Sequence, residues 1–322
     1  MKLYKKAAAC LLTAAMAISM LTACGGGGNG GNGGNGGNGG GNTPSPLPNN
    51  PDQIILPDID EGEGGEGTGT KPTKTPIIDV DNSKLAQFSK KYAGFTEFYV
   101  EMQEVAYGED GSAARSINGR VARKGENCYV SMTMSGKNQK QQSVEILTLK
   151  NKSTWDQYLL LRSSKVAVKA GSVNEVKTSL GSLIASTQPT QMWSTEVKVG
   201  PTKYYAEVYN AYPYEYTTCF TADGKPVYQF VRDLREKQLD SASLYKTIKA
   251  GSGTSNGLCA LPTGTKTYSF DDNTGRLTDA KGNVFTLKED DTTGIKVYDQ
   301  AGKDVTNDFK WLTDFFKMMS GE

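Results

Sequence analysis

The chain has 322 residues, with 36 lysines and arginines against 35 acids, five cysteines and no histidine. Without histidine there is no Ser-His or Cys-His nucleophile pair, no ordinary general base near neutral pH, and none of the commonest transition-metal ligand. The net charge of +1 averages unlike regions: residues 25–82 hold eight acids against Lys71 and Lys74, residues 271–322 hold eleven acids against seven bases, and the body between them is basic.

The first element is a leader. Lys2, Lys5 and Lys6 precede an uncharged run from Ala7 to Met20, too short to cross a bilayer as a stable helix. Leu21-Thr22-Ala23-Cys24 follows and closely resembles the lipobox of bacterial lipoproteins. That resemblance implies removal of residues 1–23 as a signal peptide, acylation of Cys24, and anchoring on the extracytoplasmic face of a cell membrane. From Gly25 to Asn42 there is only glycine and asparagine, and a Pro-rich, acidic stretch continues to Asp81. Neither segment carries the apolar side chains of a core, so residues 24–82 read as the lipidated cysteine plus a disordered tether. As a coil of 58 residues it has a typical reach of about 40 Å, and roughly 200 Å fully stretched.

About 240 residues remain from Ser83 onward, enough for one large domain or one domain with a small appendage. Leu85, Phe88 and Tyr92 recur at helical spacing after an Asn-Ser start, which predicts a short amphipathic helix stopping near Gly94. Phe98, Val100 and Met102 then alternate with Tyr99, Glu101 and Gln103, and Cys128, Val130, Met132 and Met134 alternate with Tyr129, Ser131 and Thr133. That period of two predicts half-buried antiparallel strands. Further strands are expected at 117–121, 144–149, 155–161 and 165–169. Ser172-Val173-Asn174-Glu175 has the capping-box pattern, predicting a helix over 173–186 that lies across the sheet. Strands resume at 197–199, 203–210, 215–220 and 227–233, with Asp223-Gly224-Lys225 as a hairpin turn. Seven tyrosines crowd this section, either lining a groove for lipid or sugar or serving the strands by their β propensity. A strand at 266–270 precedes two Asp-x-x-Gly units, at Asp279 and Asp299, that read as small hairpins, and Phe309, Leu312, Phe315 and Met319 form the stripe of a final helix.

Motifs of chemistry are sparse. Ser243-Leu-Tyr-Lys246 matches the Ser-x-x-Lys of penicillin-binding serine enzymes without its companion elements. Leu261-Pro262-Thr263-Gly264 reads as a loop, and Asp271-Asp-Asn273-Thr-Gly275 departs from a calcium loop at the glycine and at position twelve. With Cys10 in the leader and Cys24 acylated, Cys128, Cys219 and Cys259 remain. A Cys219–Cys259 disulfide with one free thiol and three buried free thiols are both open.

The order of elements resembles a family. The N-terminal amphipathic helix, the strand Phe98 to Gln103, Gly119-Arg-Val-Ala-Arg-Lys-Gly125 leading into Cys128 to Met134, the Asp223-Gly224-Lys225-Pro226 hairpin and the turn at Leu261 to Gly264 look like the LolA/LppX-like lipoprotein fold over residues 83–270. The resemblance implies a strongly curved antiparallel sheet closed by helices around an apolar cavity for acyl chains. The fold expected is therefore α+β, mainly β: a curved antiparallel sheet, or half-barrel, covered by a few helices. Residues 271–322 would add small C-terminal β-hairpins and a terminal helix. No ligand residue transfers from the resemblance; the candidate cavity lining is Phe98, Val100, Met102, Val130, Met132 and Tyr205, taken as apolar strand positions. The protein is expected to be no enzyme, with no cofactor and no metal, binding a lipid or other amphiphile. The alternative is a surface module for cell-wall polymer or a protein partner; no nucleic-acid partner is expected.

Overall fold

The structure is a computed structural model and describes residues 46–48, 51–56, 77–136, 139–176, 179–184, 189–290 and 294–320. The leader, Cys24 and most of the expected tether lie outside the described residues. Alternating apolar and polar positions produce strands throughout, and the protein is mostly β. The first meander comprises β3 (Glu97–Tyr107), β4 (Ala113–Lys124), β5 (Asn127–Gly136), β6 (Gln139–Asn151), β7 (Thr154–Leu161) and β8 (Val166–Val173). The second comprises β9 (Met192–Val199), β10 (Thr202–Ala211), β11 (Tyr214–Phe220), β12 (Pro226–Asp233) and β13 (Gln238–Ala250). They join where β13 pairs antiparallel with β3, Leu244 opposite Gln103.

The C-terminal strands extend the same sheet. β14 (Lys266–Asp271) lies parallel to β8, Lys266 opposite Val166, and β15 (Arg276–Asp279), β16 (Val284–Asp290) and β17 (Gly294–Tyr298) follow as antiparallel neighbours. The expected hairpin extension thus begins inside a sheet strand and shares the main core. At the other end, β9 is flanked by the two-residue strands β1 (Ile54–Ile55) and β2 (Ile77–Ile78). Among the described residues no ladder joins β17 back to β9, so the curved sheet is open.

Among the described residues, the helices α1 (Lys84–Tyr92), α2 (Leu180–Ile184) and α3 (Lys310–Ser320) cover one face, here the inner face. Leu85 and Phe88 of α1, Leu180 and Ile184 of α2, and Leu312 and Phe315 of α3 are buried in one cluster with Phe98, Val121, Ile146, Leu159, Val168, Leu277 and Val297 of the sheet. Each such side chain contributes roughly 1.5–3 kcal/mol by leaving water. The helices α1 and α2 approach closely because residue 181 is glycine: a Cβ there would stand 3.2 Å from Ser89 Cα.

The helix expected over 173–186 does not include 173–176, and its described part is Leu180–Ile184. Ser172 does not cap it, because Ser172 and Val173 end β8 opposite Asp156 and Trp155, and the Ser172 hydroxyl donates to Asp156 at 2.7 Å. The outer face is covered twice. Leu47 and Ile54, from the stretch read as tether, pack with Val105, Val197, Cys219, Phe230 and Leu244. The crossover between β13 and β14 lays Leu258, Cys259 and Leu261 on Ala122, Tyr129, Leu147 and Leu160. Cys219 and Cys259 sit in these separate clusters, and Cys128, Cys219 and Cys259 are free and buried.

Candidate functional site

The inner face is where the sequence placed a ligand. Cross-strand register puts Val100 and Val130 on either side of Val121, and Met102 and Met132 on either side of Gly119. A Cβ at Gly119 would meet Met102 Cγ at 3.3 Å, so the missing side chain is the space the thioether occupies. Phe98, Val100, Val130 and Met132 are buried in the main cluster and Met102 packs against it. These five candidate residues form one contiguous patch within the main cluster.

Tyr205 lies apart, 39% exposed at the rim of the same face. Its hydroxyl donates to Glu207 at 3.1 Å and Lys84 Nζ stands 4.5 Å from its ring centroid. Burial, then the Glu207 carboxylate, pushes the phenol up to about 12. Glu207 is itself buried and accepts hydrogen bonds from the backbone N–H groups of Lys84 at 2.6 Å and Leu85 at 2.9 Å. A carboxylate at a helix N-terminus is favoured by the free N–H groups and the helix dipole. Tyr205 and Glu207 therefore belong to the clamp that seats α1 on β10. On the same face Glu104 is pushed up by burial, with Arg115 pulling it partly back.

The apolar space lies elsewhere, under α3. A cavity of about 20 Å³ is lined by Leu159, Val168, Phe270, Leu277, Leu287, Trp311, Leu312, Phe315 and Phe316, with no polar side chain among them. Tyr268, Phe285, Phe309 and Trp311 make an aromatic group at its border, with ring centroids 4.7–6.0 Å apart. Sequence reasoning named Leu312 and Phe315 as a stripe but chose lining residues from the first strands. The pairing of β14 with β8, which brings Leu277 and Leu287 to Leu159 and Val168, is a long-range event with no local signal.

Ser243 and Lys246 lie on β13, and the Lys246 amine donates to Asn118 at 3.2 Å. Among the described residues no group of three or more cysteine and carboxylate side chains is placed to hold a metal ion. No helix among them is long and apolar enough to cross a membrane.

No protein-family model matches the chain, and no curated protein matches it. Several solved structures align with part of it. An uncharacterized conserved protein from Thermus thermophilus is 12% identical over 58% of this chain and 97% of its own, with a TM-score of 0.32. A candidate outer membrane lipoprotein-sorting protein domain from Vibrio parahaemolyticus is 11% identical over 56% of this chain and 97% of its own, TM-score 0.25. A DUF1329 family protein from Desulfovibrio piger is 11% identical over 57% of this chain and 98% of its own, TM-score 0.27. These scores do not describe a shared overall superposition, so the functional reading rests on the site's own geometry.

Proposed function

We propose that the protein is a non-enzymatic lipoprotein, acylated at Cys24 on the extracytoplasmic face of the membrane, that binds the apolar chain of a lipid or other amphiphile between α3 and the sheet. The observation that carries this is the cavity under α3, bounded by apolar side chains from five strands and one helix. A space of that size holds about one water-sized group. An acyl chain is admitted only when α3 lifts, and lifting uncovers the cluster that continues through Val168, Val130 and Val100. The patch of Phe98, Val100, Met102, Val130 and Met132 is then the floor along which a longer chain extends, with Tyr205 at its polar rim.

The test is titration of the purified domain with a fluorescent fatty acid, read by probe emission and by quenching of Trp311, with Trp311→Phe as the signal control. Saturable binding is expected, weakened about tenfold or more when Leu287→Trp fills the cavity. A folded domain that shows neither saturable binding nor a Trp311 response overturns the reading. The surface-module alternative is favoured by a different observation, a polar groove on the outer face.

A further inference from the structure

On the outer face, strands β3 to β6 present a polar region. A groove of about 230 Å³ is lined there by Glu101, Asn118, Arg120, Tyr129, Ser131 and Glu145, with hydroxyls of Thr133 and Ser143 at one side. Register orders these into two cross-strand rows. Glu101 of β3 faces Arg120 of β4, Arg120 faces Ser131 of β5, and Ser131 faces Glu145 of β6. Two residues along, Gln103, Asn118, Thr133 and Ser143 make the second row.

The polar groups are held in place. Glu145 accepts from the Tyr129 hydroxyl at 2.8 Å and is paired with Arg162. Glu101 accepts from the Tyr99 hydroxyl at 3.3 Å, Thr133 and Ser143 share a hydrogen bond of 3.0 Å, and Lys246 donates to Asn118. Arg120 is exposed and makes no hydrogen bond or ion pair among the described residues. The arrangement is preorganised, with one guanidinium left over.

We propose that this groove is a carbohydrate-binding site for a short stretch of neutral glycan. Sugar hydroxyls donate and accept at once, which suits a surface of carboxylates, guanidinium, amide and hydroxyls in which Glu101 and Glu145 offset Arg120 and Arg162. Phosphate polymers and nucleic acids would meet two carboxylates. A peptide would find no open strand edge, since β3 to β6 are interior strands, and no apolar socket. Three strand spacings separate Glu101 from Glu145, about 14 Å between backbones. The site is independent of the amphiphile reading, because it lies on the opposite face from α3.

Ligand-observed saturation-transfer NMR on the soluble domain, with maltotriose, cellotriose and tri-N-acetylchitotriose as probes, decides it. At least one trisaccharide is expected to bind with a Kd of about 1 mM or tighter. Arg120→Ala is expected to weaken it about tenfold or more, while fatty-acid binding stays unchanged. Ser131→Trp, which blocks the groove, should abolish it. Absence of transfer to all three sugars overturns the proposal. So does binding that survives both variants, or binding of poly(glycerol phosphate) in place of the neutral sugars.

Discussion

At the scale of single residues, this sheet uses buried carboxylates as fasteners. Asp156 on β7 accepts from Ser172 at 2.7 Å and from Asn151 at 2.9 Å, and pairs with Lys169 at 2.8 Å. Burial alone would push its carboxyl up, but the hydrogen bonds from Lys169, Ser172 and Asn151 outweigh that and hold it below the usual range. A depressed folded value stabilises the protein above the unfolded carboxylate pKa of about 3.9, and the contribution fades as pH falls through the folded value. Asp156→Asn is therefore expected to cost about 1–3 kcal/mol at neutral pH. It should also flatten the acid limb of a urea-midpoint profile measured between neutral and strongly acidic pH. A variant whose loss is the same at every pH would remove the charged fastener from the account.

At the scale of elements, the helices are held by the sheet more than by their own sequence. The helix α1 has nine residues, too few to persist alone in water. Ser83 caps it locally, its hydroxyl accepting from Ala86 N at 3.0 Å, and Glu207 caps it from β10. Removing the second cap leaves two N–H groups in a dry site. Glu207→Ala is expected to lower global stability by about 2–3 kcal/mol and Glu207→Gln by less, since the amide keeps one acceptor oxygen. Amide exchange across Lys84–Tyr92 should accelerate more than exchange in β5; equal acceleration would show the cap is not specific to the helix. The helix α3 buries Leu312 and Phe315 on the same core, with Trp311 and Phe316 partly exposed.

At the scale of the whole molecule, an open sheet edge is a template for pairing with other chains, and short edge strands blunt it. Here β1 and β2 supply two residues each beside β9, with Ile55 and Ile77 left 57% and 53% exposed. Leu47 and Ile54 dock on the outer face. Cys24→Ser is expected to release the protein into the medium with an unchanged unfolding midpoint, as fractionation and thermal melting would show. Retention at the membrane would mean the folded domain has a membrane surface of its own.

Much of this was written in local sequence. Alternation at Phe98 to Met102 and Cys128 to Met134 and the glycine turns at Gly125 and Gly224 identify strands and hairpins, because pleat and turn conformations are properties of a few neighbouring residues. The same alternation put Glu101, Arg120, Ser131 and Glu145 on the polar side of their strands, but only register aligned them into one row. Local pattern failed at Ser172, whose hydroxyl is as good a partner for Asp156 as for a helix N–H, and tertiary proximity chose the carboxylate. It failed at Leu47 and Ile54, where two apolar residues in a Pro-rich stretch looked too few to pack until the sheet offered them a face. Sequence by itself determined a mostly β protein, because this depends on composition and short-range periodicity. Which polar residues meet in a groove was decided by the register of β3 to β6, and which apolar ones enclose space by the pairing of β14 with β8, since contacts so far apart in the chain exist only once the sheet has brought them together.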